Sequence, residues 1–116
     1  MSREIRLLIH VASKDRWDVA VKNALNFLKT AAPGEELKVC IVANADSVTR
    51  CIKCDRPLFD RLKQLVLDGG HIYLCENSLA AFEIPVSRLP EFFETVPAAI
   101  RALVDLQMEG WTYVRP

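Results

Sequence analysis

The sequence predicts one α/β domain built on a mostly parallel sheet, and three observations carry that reading. Short apolar runs rich in branched residues alternate with segments whose apolar residues recur at helical spacing. The 116 residues suffice for a single core, and 51% of them are apolar. Only four glycines and six prolines interrupt them, which excludes a disordered tail or linker protein.

The elements follow in order. "IRLLIHV", Ile5 to Val11, reads as a buried strand. "SKDRWD" is a polar turn in which Ser13 or Asp15 is placed to cap a helix. Trp17, Ala20, Ala24, Phe27, Leu28 and Ala31 then repeat at helical spacing, and Pro33-Gly34 closes the segment. "LKVCIVA", Leu37 to Ala43, is a second buried strand, followed by a long polar loop, "NADSVTRCIKCDRP". A second helix presents Leu58, Phe59, Leu62, Leu65 and Val66 on one face, and Gly69-Gly70 stops it.

"HIYLC" is a third strand, and "SLAAF" opens a short helix that Pro85 ends. "FFETV" reads as a brief fourth strand. Pro97 suits the first turn of a last helix, with Ile100, Leu103 and Val104 facing inward and Gly110 at its end. "WTYVR" alternates as a fifth, edge strand does. Right-handed crossovers place helices on both faces of a five-stranded sheet, a flavodoxin-like three-layer sandwich spanning residues 1–116 as a single domain.

Fifteen basic and fifteen acidic residues cancel, so no positive field drives nucleic-acid binding. No apolar stretch approaches the length of a membrane span, and no membrane partner is expected. The charged segment Met1 to Arg6 lacks the apolar core and cleavage site of a secretory signal, so a cytoplasmic location is expected. Four cysteines in that setting are expected as thiols, metal ligands or redox groups rather than structural disulfides.

Open α/β sheets bind ligands beyond the carboxyl ends of their strands, which selects three loops: His10 to Trp17, Ala43 to Cys54, and Cys75 to Leu79. Cys75 ends the third strand just before a helix, with Asn77 or Ser78 as cap. Backbone N–H groups at that helix start would face the sulfur and lower its pKa, while Glu76 opposes the thiolate. A packed core thiol is the competing reading.

His71 lies four residues earlier in the same strand, roughly 13 Å away, too far for a Cys–His pair. His10 reaches Cys75 only if the first and third strands adjoin; otherwise it is a hydrogen-bonded histidine of the sheet. Without a base and oxyanion donors, a hydrolase mechanism has little support. "CIKC", Cys51 to Cys54, has the spacing of a dithiol redox pair, of half a zinc site, or of two unrelated loop cysteines. No second CxxC or HxxxH completes it. Asn44 and Asp46, at the mouth of strand two, either touch a ligand or form the Asx turn that ends the strand. No glycine-rich phosphate loop follows any strand, so nucleotide cofactors are disfavoured and no cofactor is expected.

Three segments together carry a resemblance: "IHVASKDRWDVAVKNALNFLK", "VANADSV", and "YLCENSL" with the finish "VPAAIRALVDLQMEGWTYVRP". The chain resembles, nearly end to end, the DsrE/DsrF-like family of small sulfur-metabolism proteins. The resemblance implies a small α/β sandwich around five strands, in homo- or hetero-oligomers that are commonly trimers or hexamers. It also implies that a cysteine after the third strand carries sulfur as a persulfide, and Cys75 matches that position. Cys51 and Cys54 depart from the pattern.

Three uses are therefore open. One is sulfur transfer through Cys75 between donor and acceptor proteins, with Cys51 or Cys54 resolving the persulfide as a disulfide. Another is a non-catalytic oligomeric module whose rim, including His10, Asn44, Asn77 and Ser78, holds a small molecule or partner, with Trp111 and Tyr113 at the subunit interface. The third is a redox or zinc-binding protein using Cys51 and Cys54.

Overall fold

The first apolar run lies inside the sheet and organises the rest. In the computed structural model, described over residues 3–116, β1 (Arg3–Val11) pairs in parallel with β2 (Glu35–Ala43), from Arg3 opposite Glu35 to Val11 opposite Ala43. Its other neighbour is β5 (Thr112–Val114). β3 (His71–Cys75) adds to β2, and β4 (Glu94–Val96) adds to β3. The order is β4-β3-β2-β1-β5, with every pair parallel. Met1 and Ser2, the start of the charged N-terminal segment, lie outside the described residues.

From β1 to β4 the chain steps in one direction, and then it returns across the sheet to β5. With right-handed crossovers, that reversal changes the face on which the connecting helix packs. α1 (Trp17–Leu28), α2 (Arg56–Leu67) and α3 (Glu76–Ala81) accordingly cover one face. α4 (Ala99–Met108) covers the other. Because strand side chains alternate, each strand feeds both cores. Ile9, Val11, Ile41, Ile72 and Leu74 meet Trp17, Leu58, Leu62 and Leu79 on the first face. Leu8, Cys40, Val42 and Cys75 meet Ala99 and Leu103 on the second. Trp17 is fully enclosed, and its indole Nε1–H donates to the Ser47 carbonyl at 2.9 Å, so its polar handle is satisfied.

Several boundaries and orientations differ from the sequence expectation. β1 and β2 each begin two residues earlier than expected, where Glu4 bonds both Arg6 and Lys38 at 2.6 Å. α1 stops at Leu28 and leaves Ala31 exposed, because the Lys29 N–H and the Thr30 hydroxyl turn back to the carbonyls of Asn26 and Phe27. Ser13 takes the N-cap position of a 3-10 turn, Lys14–Arg16, but its hydroxyl donates to Asp15 at 2.6 Å rather than capping a backbone N–H, and Asp15 lies inside that turn. The polar loop contains a short 3-10 segment, Ala45–Arg50, and Asp55 caps α2 by accepting from the Leu58 N–H at 3.0 Å. Gly69, at φ +95°, ends α2 as expected. Cys75 itself takes the N-cap position of α3, so neither Asn77 nor Ser78 does.

The largest correction concerns α4. Pro97 precedes the helix, and Ile100 and Val104 are 72% and 47% exposed rather than inward. α4 lies alone on its face and seats one stripe, Ala99 and Leu103 with Leu106 behind them. Ile100 and Val104 fall on the next stripe, which no other element covers. No helix among the described residues is long and apolar enough to cross a membrane.

Leu103→Ala should therefore destabilise the protein by about 2–5 kcal/mol in urea unfolding, as expected for a buried leucine. A loss near zero would mean that α4 packs through a different stripe.

Candidate functional site

Cys75 closes β3 on the face covered by α4, among Leu8, Cys40, Val42, Ala99 and Leu103. It is 5% exposed. Its Sγ accepts from the backbone N–H of Ala99 at 3.4 Å, and Ala99 is the first residue of α4. The first N–H groups of a helix have no carbonyl within it to bind, so the sulfur fills a place the helix would otherwise leave open.

Two influences on the thiol oppose each other. Burial pushes its pKa up. The Ser78 hydroxyl and the N–H groups of Ala99, Ser78 and Asn77 favour the anion, and the balance falls below the ordinary thiol value. The Ser78 hydroxyl is itself held in place, because its oxygen accepts from the Ala45 N–H at 2.9 Å. That leaves its proton free for the sulfur. Ala45 sits at φ +54°, a left-handed conformation that is costly for a residue with a Cβ. The Glu76 carboxylate, which sequence placed in opposition to the thiolate, accepts from the Thr95 hydroxyl at 2.6 Å.

The other three thiols move the opposite way. Burial takes Cys40 up to about 12 and Cys51 higher still, and it also raises Cys54. Cys51 packs in the first core and Cys54 lies against it, whereas Cys75 belongs to the second. The CxxC pair and Cys75 thus pack in different cores. Among the described residues, no group of three or more His, Cys, Asp or Glu side chains is placed to hold a metal ion.

His10 does not approach Cys75, because β2 stands between β1 and β3, two strand spacings or roughly 10 Å. Its ring is nearly enclosed, at 8% exposure. Nε2 bonds Asn44 Oδ1 at 2.9 Å, and Nδ1 bonds the Tyr113 hydroxyl at 2.6 Å. With Asn44 presenting its oxygen, Nε2 carries the proton and Tyr113 donates to Nδ1. Asn44 also accepts the Ser47 hydroxyl on its carbonyl at 2.6 Å, so it shapes the turn and holds the histidine at once. The Asp46 carboxylate accepts the Lys14 N–H at 3.3 Å, which ties the loops after β1 and β2 together. His71, at the start of β3, pairs with Glu94 at 2.7 Å.

Sequence reasoning missed three contributors. Tyr113 reaches His10 because β5 pairs with β1 in a register that sets Tyr113 opposite Leu8. Alternation marks β5 as a strand but not its neighbour. Ala99 and Ala45 act through backbone N–H groups, which no residue type announces.

The site and the sheet order now bear on kinship. The DsrE/DsrF-like family model matches residues 8–116. The chain belongs to the DsrE/DsrF-like family. That family is linked to sulfur relay. The structure of MTH1491, a protein of unknown function from Methanobacterium thermoautotrophicum, is similar at TM-score 0.85 and 22% identity, covering 97% of this chain and 99% of that one. BT1422, a conserved protein of unknown function from Bacteroides thetaiotaomicron, is similar at TM-score 0.73 and 18% identity, with 96% and 94% covered. The ychN protein from E. coli is similar at TM-score 0.71 and 13% identity over 100% of both chains. At such identities the likeness speaks for the fold. No curated protein matches the chain.

Thiolate absorbance followed through an alkaline titration should show Cys75 ionising first of the four thiols and Cys40 only at about 12. Ser78→Ala should move the Cys75 midpoint upward, because a donor to the anion is lost while burial stays. An unchanged midpoint would remove Ser78 from the site. The signs differ for stability. Cys75, with its pKa lowered on folding, adds stability that is present above the ordinary thiol value and lost as pH falls through its folded value. Cys40, with its pKa raised, adds stability present below the ordinary value and lost as pH rises toward about 12.

Proposed function

We propose that this protein is a cytoplasmic sulfur carrier in which Cys75 holds a sulfane sulfur as a persulfide. The observation that carries the reading is the set of donors on Cys75: the thiol most stabilised as an anion stands at the carboxyl end of a central strand. The thiolate attacks the outer sulfur of a donor persulfide. A new S–S bond forms at Cys75, the donor's S–S bond breaks, and the donor leaves as a thiolate, so no external oxidant or reductant enters. Transfer to an acceptor cysteine repeats the exchange in the opposite sense. Donor and acceptor proteins are the partners this chemistry requires. Cys75 is nearly enclosed, at 5% exposure, which shelters a bound sulfane from bulk thiols.

Self-association belongs to the same reading, as a homotrimer or homohexamer. On α4, Ile100, Val104 and Met108 are 72%, 47% and 81% exposed at successive one-turn spacings. Tyr113 and Val114 on the edge strand β5 are 38% and 39% exposed. An exposed apolar stripe of this kind suits a protein contact surface, and α4 is the element that closes over Cys75.

Intact-mass measurement after incubation with a sulfane-sulfur donor should show one added sulfur per chain, reversed by a reducing thiol and lost in Cys75→Ser. Uptake that survives that substitution would shift the role to another cysteine, and none in the wild type would end the carrier reading. Sedimentation should give an oligomer for the wild type and a smaller species for Ile100→Arg/Val104→Arg. A monomeric wild type would remove the self-association.

A further inference from the structure

We infer that the groove between α2 and residues 86–92 is a binding site for a small amphiphilic anion, an apolar body bearing one carboxylate-like head. It is a separate site from Cys75 and does not rest on the carrier reading. The groove is open to solvent and has a volume of about 590 Å³, within the range of roughly 300–1,000 Å³ typical of small-molecule sites.

Its walls are apolar where they face each other. Phe59 and Val66 come from α2, followed by Leu67, which is 72% exposed. Leu89 and Phe92 come from the opposite segment. Phe59 and Phe92 meet edge to face across the floor, with ring centroids 5.2 Å apart. An aromatic floor with an exposed leucine at its end leaves apolar surface that a ligand's body would cover.

Charge selects the head. Lys63 lines the groove from α2 and Arg88 from the other wall. Among the described residues neither has a carboxylate within ion-pair distance, so both are available to a ligand's charge. Glu91 is the one acid lining the groove, so two cations against one carboxylate leave a net charge of +1. A single anionic head between Lys63 and Arg88 balances it.

Length argues for a small molecule rather than a protein. From Phe59 to Leu67 the α2 wall runs about 12 Å, whereas a stable protein interface covers about 800 Å² on each partner.

Decanoate, decanol and decyltrimethylammonium are the probes, titrated calorimetrically below their aggregation limits. Decanoate should bind once per chain and more tightly than the other two. Lys63→Ala/Arg88→Ala should weaken decanoate by about tenfold or more while leaving decanol unchanged. Both substituted residues are exposed, so the variant retains its fold. Amide shifts on adding decanoate should centre on α2 and residues 86–92, and Cys75→Ser should bind decanoate as the wild type does. No saturable decanoate binding, equal affinity for the cationic probe, an unchanged affinity in the double variant, or shifts centred elsewhere would each overturn the assignment.

Discussion

The contact between the first N–H of α4 and the sulfur at the end of β3 ties the topology to the chemistry. It exists because the chain, after stepping outward to β4, returns over the opposite face to reach β5. That return lays the start of α4 directly against the last residue of β3, and Ala99 N–H meets Cys75 Sγ at 3.4 Å. Had the sheet continued outward past β4, the connecting helix would have joined the other three and left the end of β3 without this donor. The strand order is thus a condition for the site as well as a description of the fold.

The Ser78 hydroxyl and the same contact together hold the pKa of a nearly enclosed thiol below its ordinary value. Cys40 shares the core with Cys75, yet burial alone takes it to about 12. Two cysteines in one apolar cluster therefore differ through their donors. Cys40 lies mid-strand, where the neighbouring N–H groups are committed to the β-ladder. Cys75 lies where β3 becomes α3 and where α4 begins, so the first N–H of α4, which has no partner within its helix, is donated to the sulfur. Ser78 adds a hydroxyl whose orientation is fixed by Ala45. The left-handed backbone at Ala45 is a local strain of the sort that surrounding structure must hold in place. Here the hold runs through Asn44, bonded on one side to the Ser47 hydroxyl and on the other to His10.

Much of this was legible in the residues, and the division follows physical reach. Periodicity and punctuation place β1 through β3 and α2 closely, since an apolar run or an amphipathic stripe is a local property. The strand-to-helix position of Cys75 is equally local. What depends on neighbours was not legible. His10 and Cys75 sit on the same face, but β2 separates them, and strand order is written in crossovers rather than in any one segment. α4 misled for a related reason. Ile100, Leu103 and Val104 are all apolar, and which stripe turns inward depends on how much of the sheet one helix covers. The CxxC pair is legible by its spacing, whereas its packing in a different core from Cys75 is not.

The unequal coverage of the two faces also decides where the molecule can meet others. On the first face α1 packs against α2, and α2 faces residues 88–92, so apolar surface left there is concave, as in the groove beside Phe59 and Phe92. One helix on the second face has no flanking helix, so its surplus apolar stripe is convex and exposed. A concave apolar surface encloses a small body efficiently, whereas a convex one can be covered only by a matching surface of protein size. The direction of a single crossover thus sets apart two kinds of surface on one chain of 116 residues.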